Sequence, residues 1–297
     1  MTDQNLEKMF PFLKKRKQVI SIVGAGGKTT LMYALARYYA GQGASVVVTT
    51  TTHIKRPQNY LVARNKEELL CLLAKNSIVA AGAAAPENKL TQAYEMSIID
   101  YMNAADIVLV EADGAKHYPC KVPSDTEPVI PKESGIVLGV MGMDAVGRPL
   151  NEVCFRKEKA IQMLRQAYFH KEKTVHMPEE TCIRKEKAVH TPEETCIRKE
   201  KAVHMPEETC ICKEKAVHMQ DDACTHKEKA AQMPEIEEDH CMTQEDLVEI
   251  LSSDWGTRKN VGDADYYIVL NKCDNELRRQ HGQRIQSLLA QDGLYAV

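Results

Sequence analysis

The chain has 297 residues, a formal net charge of −3 and a hydrophobic content of 43%, enough for one large or two ordinary domains. A pI near 6.4 argues against bulk electrostatic attraction to nucleic acid or to an anionic membrane. No run approaches roughly 18 apolar residues and the N-terminus lacks the apolar core of a signal peptide. We therefore expect a cytoplasmic protein without a membrane span.

The first predicted element is a buried strand at residues 19–23, preceded by the basic run 14–17. We interpret that run as a solvated approach to the strand rather than a nucleic-acid contact. A glycine-rich turn follows the strand. Leu31 and Leu35 then recur at helical spacing, which predicts a helix directly after the turn.

The turn between this strand and this helix is predicted to bind a nucleotide phosphate. Its glycines let backbone N–H groups converge, its lysine adds a fixed positive charge, and the adjacent hydroxyl suits Mg²⁺. The common pattern G-x-x-x-x-G-K-[ST] fails because position 22 is Ile22; the shorter G-x-x-G-K-T-T resembles the compact phosphate loop of the Mur ligases. The alternative is a plain turn with a surface lysine. The predicted nucleotide-binding residues are Gly24, Ala25, Gly26, Gly27, Lys28, Thr29 and Thr30.

Strands and helices alternate along the rest of the chain. This alternation predicts an α/β, P-loop-NTPase-like three-layer fold with a mostly parallel sheet. Prolines between Lys116 and Pro131 predict an ordered loop instead of a helix or a central strand. Further strands are predicted at 45–52, 77–81, 106–111, 135–140 and 266–270, and further helices at 66–74, 90–102, 155–166 and 275 to about 290.

Two acidic residues, Glu111 and Asp113, follow the predicted strand 106–111. With Lys28 they are the candidate catalytic residues, and with Thr29 they are the candidate Mg²⁺ ligands, because one carboxylate could hold the ion while the other orients an attacking group. The alternative is that Asp113 and the glycine after it form a simple turn.

A third polar motif, Asn271-Lys272-Cys273-Asp274, follows the strand 266–270 and matches the N-K-x-D motif that reads guanine. A carboxylate can accept two hydrogen bonds from guanine that adenine does not offer. We therefore favour GTP over ATP, with Asn271, Lys272 and Asp274 as nucleotide contacts. The alternative is that Asp274 caps the following helix. Because ligands bind at the carboxyl ends of parallel strands, we expect all three motifs at one edge of the sheet.

Residues 157–240 repeat with a period of 14, most clearly as KEKAVHTPEETCIR at 185–198. The second apolar position of a coiled coil is missing, and a proline recurs in most units, so we predict short helical pieces or disorder. Recurring His and Cys suggest a metal site, but they are copies of one unit and their spacing is not a compact chelate. The predicted division is therefore a nucleotide-binding α/β domain at 1–156, a repeat insertion at 157–240 and the last part of the domain at 241–297.

The stretches VGAGGKTTLM (23–32), VTTTTHI (48–54), VLVEADGAK (108–116), KVPSDTEPVIP (121–131), GVMGMDAVGRPL (139–150) and VLNKCD (269–274) together resemble the YqeC family. These are accessory proteins of selenium-dependent molybdenum hydroxylases. The resemblance implies a nucleotide-binding protein that serves maturation of a selenium-containing cofactor, with a molybdenum hydroxylase or its cofactor as partner. The cofactors that the motifs themselves predict are Mg²⁺ and GTP or ATP. The repeat departs from this pattern.

Three hypotheses follow for the activity. The first is an NTP-dependent accessory enzyme that uses hydrolysis or phosphoryl transfer. The second is a nucleotide-gated chaperone or insertase without small-molecule chemistry, and the third is a Mur-like ATP-dependent ligase. Lys116, Lys121 and Glu127, in the proline-rich loop, are expected to contact a second substrate.

Overall fold

A computed structural model describes residues 7–175 and 235–297, with side chains for 7–170 and 235–297. Most of the predicted repeat lies outside the described residues, so its predicted state stays a prediction. The strands are β1 (Gln18–Gly24), β2 (Val46–Thr50), β3 (His53–Lys55), β4 (Val62–Ala63), β5 (Ile78–Ala81), β6 (Ala83–Ala85), β7 (Lys89–Thr91), β8 (Ile107–Glu111), β9 (Cys120–Lys121), β10 (Ile136–Gly142), β11 (Cys154–Phe155), β12 (Asp265–Asn271) and β13 (Tyr295–Ala296). The α-helices are α1 (Lys28–Gly41), α2 (Lys66–Leu73), α3 (Ile98–Ala104), α4 (Leu150–Val153), α5 (Lys157–Val175), α6 (Gln244–Ser252) and α7 (Glu276–Gln291).

Eight of the strands form one sheet in the order β13-β12-β10-β1-β8-β2-β5-β4. Every neighbouring pair in this sheet is parallel. The predicted α/β class with a mostly parallel sheet is therefore confirmed. Two small sheets accompany it, β11-β9 and β3-β7-β6. None of the described helices combines the length and the apolar character that a membrane span requires.

The central strands are apolar at nearly every position because helices cover both faces of the sheet. In β1, Ile20 and Ile22 pack on the face covered by α1, where they meet Leu35. The intervening Val19 faces the other way and packs with Leu69 of α2. Alternate residues thus feed two separate hydrophobic clusters, which fixes the register of the strand.

The order of the strands brings the predicted motifs to one edge. β8 lies between β1 and β2, and the chain crosses to the other side of β1 when it enters β10. Because β1, β8 and β12 all run in the same direction, the loops that follow Gly24, Glu111 and Asn271 leave the sheet at the same edge. Ligand sites of open parallel sheets form at this edge, where the order of strands reverses.

The predicted helix at 90–102 is wrong over its first half. Lys89–Thr91 instead forms β7, which pairs antiparallel with both β3 and β6. The helix begins only at Ile98, because Ser97 and Asp100 form a capping box that fixes its start. The apolar residues before Ser97 therefore pack as a strand and a loop, although their spacing suits a helix.

Two smaller predictions also change. Phe155 was expected inside the helix 155–166, yet it ends β11, and Arg156 with φ of 68° separates that strand from α5. The proline-rich loop contains the short strand β9, whose Cys120 pairs with Cys154 of β11. This pairing ties the loop to the start of α5.

The segments that flank residues 171–234 are held together by direct contacts. The guanidinium of Arg165 on α5 donates two hydrogen bonds to the Ile236 carbonyl, at 2.6 and 3.1 Å. Lys157 forms an ion pair with Glu238 at 2.6 Å. Four backbone hydrogen bonds join neighbouring segments: Gly147 N to Met242 O, Leu150 N to His240 O, Asn151 N to Glu238 O and Met242 N to Arg148 O. The described fold therefore closes on itself without residues 171–234.

Deleting residues 171–234 should leave this fold intact. In the deletion variant, a linker of about eight Gly/Ser residues joins His170 to Glu235 and spans roughly 16 Å. This is long enough, because the helix carries the chain only roughly 7.5 Å from Arg165, which contacts Ile236, to His170. We expect the melting temperature, measured by circular dichroism, to stay within about 4 °C of that of the full chain. A longer deletion, 171–240, removes most of the acceptors described above and is the control, with a clearly lower melting temperature expected. Equal losses in the two deletions would contradict the prediction.

Candidate functional site

The glycine-rich turn has a backbone that only glycine adopts without strain. Gly24, Gly26 and Gly27 have φ values of 91°, 79° and 124°, in the region where a side chain is disfavoured. At Gly26 there is also no room, because a Cβ would lie 2.3 Å from the Gly142 nitrogen and 2.9 Å from the Pro119 carbonyl oxygen. The turn is thus packed tightly between the end of β10 and the loop that follows β8.

The amides of the turn fall into two groups. Those of Gly24, Ala25 and Gly26 donate to acceptors within the protein, which are Asp113 Oδ2, Val140 O and Tyr118 O at 3.0, 2.8 and 3.1 Å. Within residues 7–175 and 235–297 no acceptor is hydrogen-bonded to the next four amides, which open α1. These four belong to Gly27, Lys28, Thr29 and Thr30. Free N–H groups at a helix N-terminus bind anions.

Lys28 is the first residue of α1 and its side chain is only 4% exposed. Its ammonium donates a hydrogen bond to the Gly24 carbonyl at 2.7 Å. It also lies 3.1 Å from Asp113 Oδ1 and 3.9 Å from Glu111 Oε1. The structure thus brings together the three residues that the sequence proposes as catalytic.

Thr29 and Glu111 form the second contact of the predicted site. The Thr29 hydroxyl donates to Glu111 Oε2 at 2.7 Å. Burial raises the pKa of the Glu111 carboxyl above its ordinary value, and the Lys28 ammonium opposes that shift. Within the described residues no cluster of three or more His, Cys, Asp or Glu side chains is arranged to hold a metal ion. A hydroxyl and a carboxylate side by side are oxygen ligands of the kind that suits Mg²⁺ when phosphates and water supply the others.

Asp113 lies deeper than the sequence suggests. Its Oδ2 accepts the Gly24 amide and lies 3.0 Å from the Lys121 ammonium. Lys121 is 1% exposed and donates to the Gly114 carbonyl at 2.7 Å and to Glu127 at 2.9 Å. Lys121 is therefore an internal partner of Asp113, not the second-substrate contact that the sequence leads us to expect.

Glu127 continues this network toward the surface. It accepts from Lys121 and pairs with Arg156 at 2.8 Å. Burial alone would raise the pKa of Glu127, but the hydrogen bonds from Arg156 and Lys121 together lower it below its usual value. Lys116 lies elsewhere, with its ammonium 5.2 Å from the centre of the Phe155 ring. Of the three residues predicted to contact a second substrate, Lys121 and Glu127 therefore belong to an internal ion-pair network, and Lys116 lies against the Phe155 ring.

The motif at the end of β12 contacts the turn directly. Asn271 Nδ2 donates to the Gly26 carbonyl at 2.9 Å, so the asparagine braces the glycine-rich turn. Lys272 pairs with Asp144 at 2.7 Å. The Asp274 side chain is 69% exposed and accepts from Arg278, and that hydrogen bond lowers its pKa. It does not cap α7, since that position belongs to Asn275.

Sequence reasoning missed Asp144 and the role of Lys121. Asp144 follows β10, so the rule that polar residues after parallel strands meet at one edge could have found it. Nothing in the local sequence around Lys121 indicates burial, because its partners are Asp113 and Gly114, which follow β8, and Glu127 further along the proline-rich loop.

The strand, the glycine-rich turn and the helix define an α/β protein with a glycine-rich turn at the carboxyl edge of a parallel sheet. Residues 20–158 match the family model described as YqeC protein. The chain is also 37% identical over 142 residues to the "Uncharacterized protein YqeC" of Escherichia coli (strain K12). Over residues 20–158 the chain is thus similar to the YqeC family, in line with the resemblance that its motifs carry.

The match has defined limits. It covers 45% of this chain and 55% of the Escherichia coli protein, so the chain spans about half the length of the curated relative it matches. The matched residues 20–158 include the glycine-rich turn, Glu111 and Asp113, but not the motif at 271–274. No solved structure matches the chain.

Proposed function

We propose that this protein binds a Mg²⁺–nucleoside triphosphate at the turn Gly24–Thr30 and hydrolyses it or transfers its phosphoryl group. The observation that carries the proposal is the set of four amides without acceptors within the described residues, beside the buried Lys28 ammonium. Convergent N–H groups and a lysine are the two components that bind the phosphates of a nucleotide. On binding, the ammonium would exchange its contact with Asp113 for a phosphate oxygen.

Thr29 and Glu111 would hold Mg²⁺, which neutralises phosphate charge when bound. Their oxygens are already 2.7 Å apart. Asp113 is engaged by Lys28, Lys121 and the Gly24 amide, which makes Glu111 the better candidate for the acidic partner. Because the proton on a raised-pKa carboxyl competes with a cation, acid conditions would weaken metal binding at Glu111.

A P-loop-NTPase-like fold is part of the proposal and is supported by the strand order. The strand that carries the turn, β1, lies directly beside β8, which carries the acidic residues. In the dinucleotide-binding fold the first two strands are neighbours, whereas here β8 separates β1 from β2. The order therefore favours a mononucleotide site that uses both β1 and β8.

Guanine is the proposed base. Asn271 braces the turn, which places the loop 271–274 next to the phosphate site. Asp274 exposes 69% of its side chain there, so its carboxylate is open to a ligand once the Arg278 contact is released. ATP stays the alternative, since Lys272 is engaged by Asp144 and does not by itself choose a base.

The basis for proposing a role in selenium chemistry is the resemblance of the chain's motifs to the YqeC family. We propose that nucleotide turnover serves maturation of a selenium-containing cofactor of a molybdenum hydroxylase. A nucleotide-gated chaperone is the second candidate, because Asp113 is buried beside Lys28 and Lys121, which leaves few side chains to activate a small substrate. The enzyme would consume nucleotide with a small selenium donor alone, whereas the chaperone would need its protein partner.

The proposal is tested by calorimetric titration with GTP and ATP in the presence of Mg²⁺. We expect binding of GTP to be tighter, and Lys28→Ala to weaken it about 100-fold, or about 2.7 kcal/mol. Lys14→Ala is the matched control, because Lys14 is exposed in the basic run before the same strand and should leave the affinity unchanged. A Lys28→Ala variant that binds as tightly as the wild type would remove the proposed function.

A further inference from the structure

Asp113 is a buried carboxylate beside two lysines, one earlier in the sequence (Lys28) and one later (Lys121). It is 2% exposed, and the ammonium groups of Lys28 and Lys121 lie 3.1 and 3.0 Å from its oxygens. Two cations beside one carboxylate share its charge, so neither is paired with it fully. The sequence offers a role for Lys28 but none that explains a second buried lysine.

The two lysines differ in how they are held. Lys121 donates hydrogen bonds to the Gly114 carbonyl and to Glu127, and Glu127 is held in turn by Arg156. These contacts fix the Lys121 ammonium beside Asp113 whether or not a ligand is present. Lys121 is therefore the stationary cation of the pair.

Neither lysine donates a hydrogen bond to Asp113 in the described structure, and Lys28 is held by fewer other contacts than Lys121. Asp113 Oδ1, the oxygen that faces Lys28, is buried and accepts no hydrogen bond in the described structure. The Lys28 ammonium donates instead to the Gly24 carbonyl. Lys28 is thus the cation that can leave, and Asp113 would keep Lys121 and the Gly24 amide after it has left.

We propose that Lys121 is a positioning residue, which neutralises Asp113 so that the Lys28 ammonium stays available to a nucleotide phosphate. This inference rests on the proposed function. Without Lys121, Lys28 would be the one cation among the described residues left beside the buried carboxylate. Its departure would leave an unpaired charge in the interior, which is strongly unfavourable. Lys28 would then be held by Asp113 and withheld from the ligand.

The test measures GTP affinity by calorimetric titration in the presence of Mg²⁺, the condition of the proposed function. We expect Lys121→Met to weaken binding about tenfold or more, and Lys121→Arg, which keeps the charge, to restore most of the affinity. The decisive variant is Lys121→Met combined with Asp113→Asn. Because Lys121 acts only through Asp113, the double variant should bind within about threefold of Asp113→Asn alone.

A purely structural role gives a different result, since the losses from the two substitutions would then add. Additive losses, or a Lys121→Met variant that binds like the wild type, would overturn the proposal. If Lys121→Met does not fold, the comparison of Asp113→Asn with the double variant decides by itself. Lys159→Met is the matched control, because Lys159 pairs with the exposed Asp125 at the surface. A wild type that binds no GTP would overturn the proposed function, and this inference with it.

Discussion

Replacing Gly26 by alanine is expected to destabilise the protein by about 3 kcal/mol or more. The residue has a φ of 79°, where a side chain costs roughly 1–2 kcal/mol. The added Cβ would also lie 2.3 Å from the Gly142 nitrogen and 2.6 Å from its Cα. Those neighbours are backbone atoms of the central strand β10, so relief requires a shift of the sheet or of the turn, at a further cost of roughly 1–3 kcal/mol.

The substitution Gly43→Ala separates the cost of the positive φ from the cost of the close contact with β10. Gly43 has nearly the same φ, 78°, but a Cβ there would meet nothing within 4 Å. We expect the free energy of unfolding of the Gly43→Ala variant, measured by urea denaturation, to lie only about 1 kcal/mol below that of the wild type. The excess loss at Gly26 is then the cost of the close approach between the turn and β10. Equal losses at the two positions would show that the turn is not packed as described.

The second large effect is expected at Asp246, where substitution by alanine should lower the free energy of unfolding by about 3–5 kcal/mol. The residue is fully buried at the start of α6. Its carboxylate accepts from the Tyr168 hydroxyl at 3.0 Å and from the Thr243 amide at 2.8 Å, and contacts His240 Nε2 at 2.8 Å. Alanine would remove the Asp246 half of the capping box, which accepts the Thr243 amide, and leave the other polar groups without this partner.

Asp100→Ala is the matched control for that substitution. Asp100 is the same residue of a capping box, with Ser97 at the start of α3, as Asp246 is with Thr243. Its side chain is 27% exposed, so water can replace the lost hydrogen bonds. We expect a much smaller change in the urea midpoint. A loss at Asp100 as large as that at Asp246 would mean that capping alone, and not burial, sets the effect.

The strands were predictable because the sheet is parallel and covered on both faces. Runs such as 46–50 and 107–111 are rich in β-branched residues and buried throughout, which distinguishes them from surrounding helices without knowledge of their partners. The helix 90–102 was mispredicted because apolar spacing alone does not separate a short strand from a helix. The signal that does, a capping box at Ser97, is present in the sequence and sets the boundary.

The candidate site was predictable only in part. Glycines, lysine and carboxylates after strands could be identified locally, since each motif carries its own chemistry. The brace from Asn271 to the Gly26 carbonyl joins residues 245 positions apart, and the pairing of Lys121 with Asp113 depends on how a proline-rich loop folds back. Such contacts are set by tertiary packing, which leaves no trace in the spacing of residues along the chain.

The contacts that join α5 to the segment beginning at Ile236 bear on how this gene can change. Replication slippage within a tandem array adds or removes whole units, and here both ends of the array stay anchored by the same side chains whatever its length. Isolates that differ in copy number would therefore share one folded core. Selection on the core would then place little constraint on array length, which leaves that stretch open to rapid divergence.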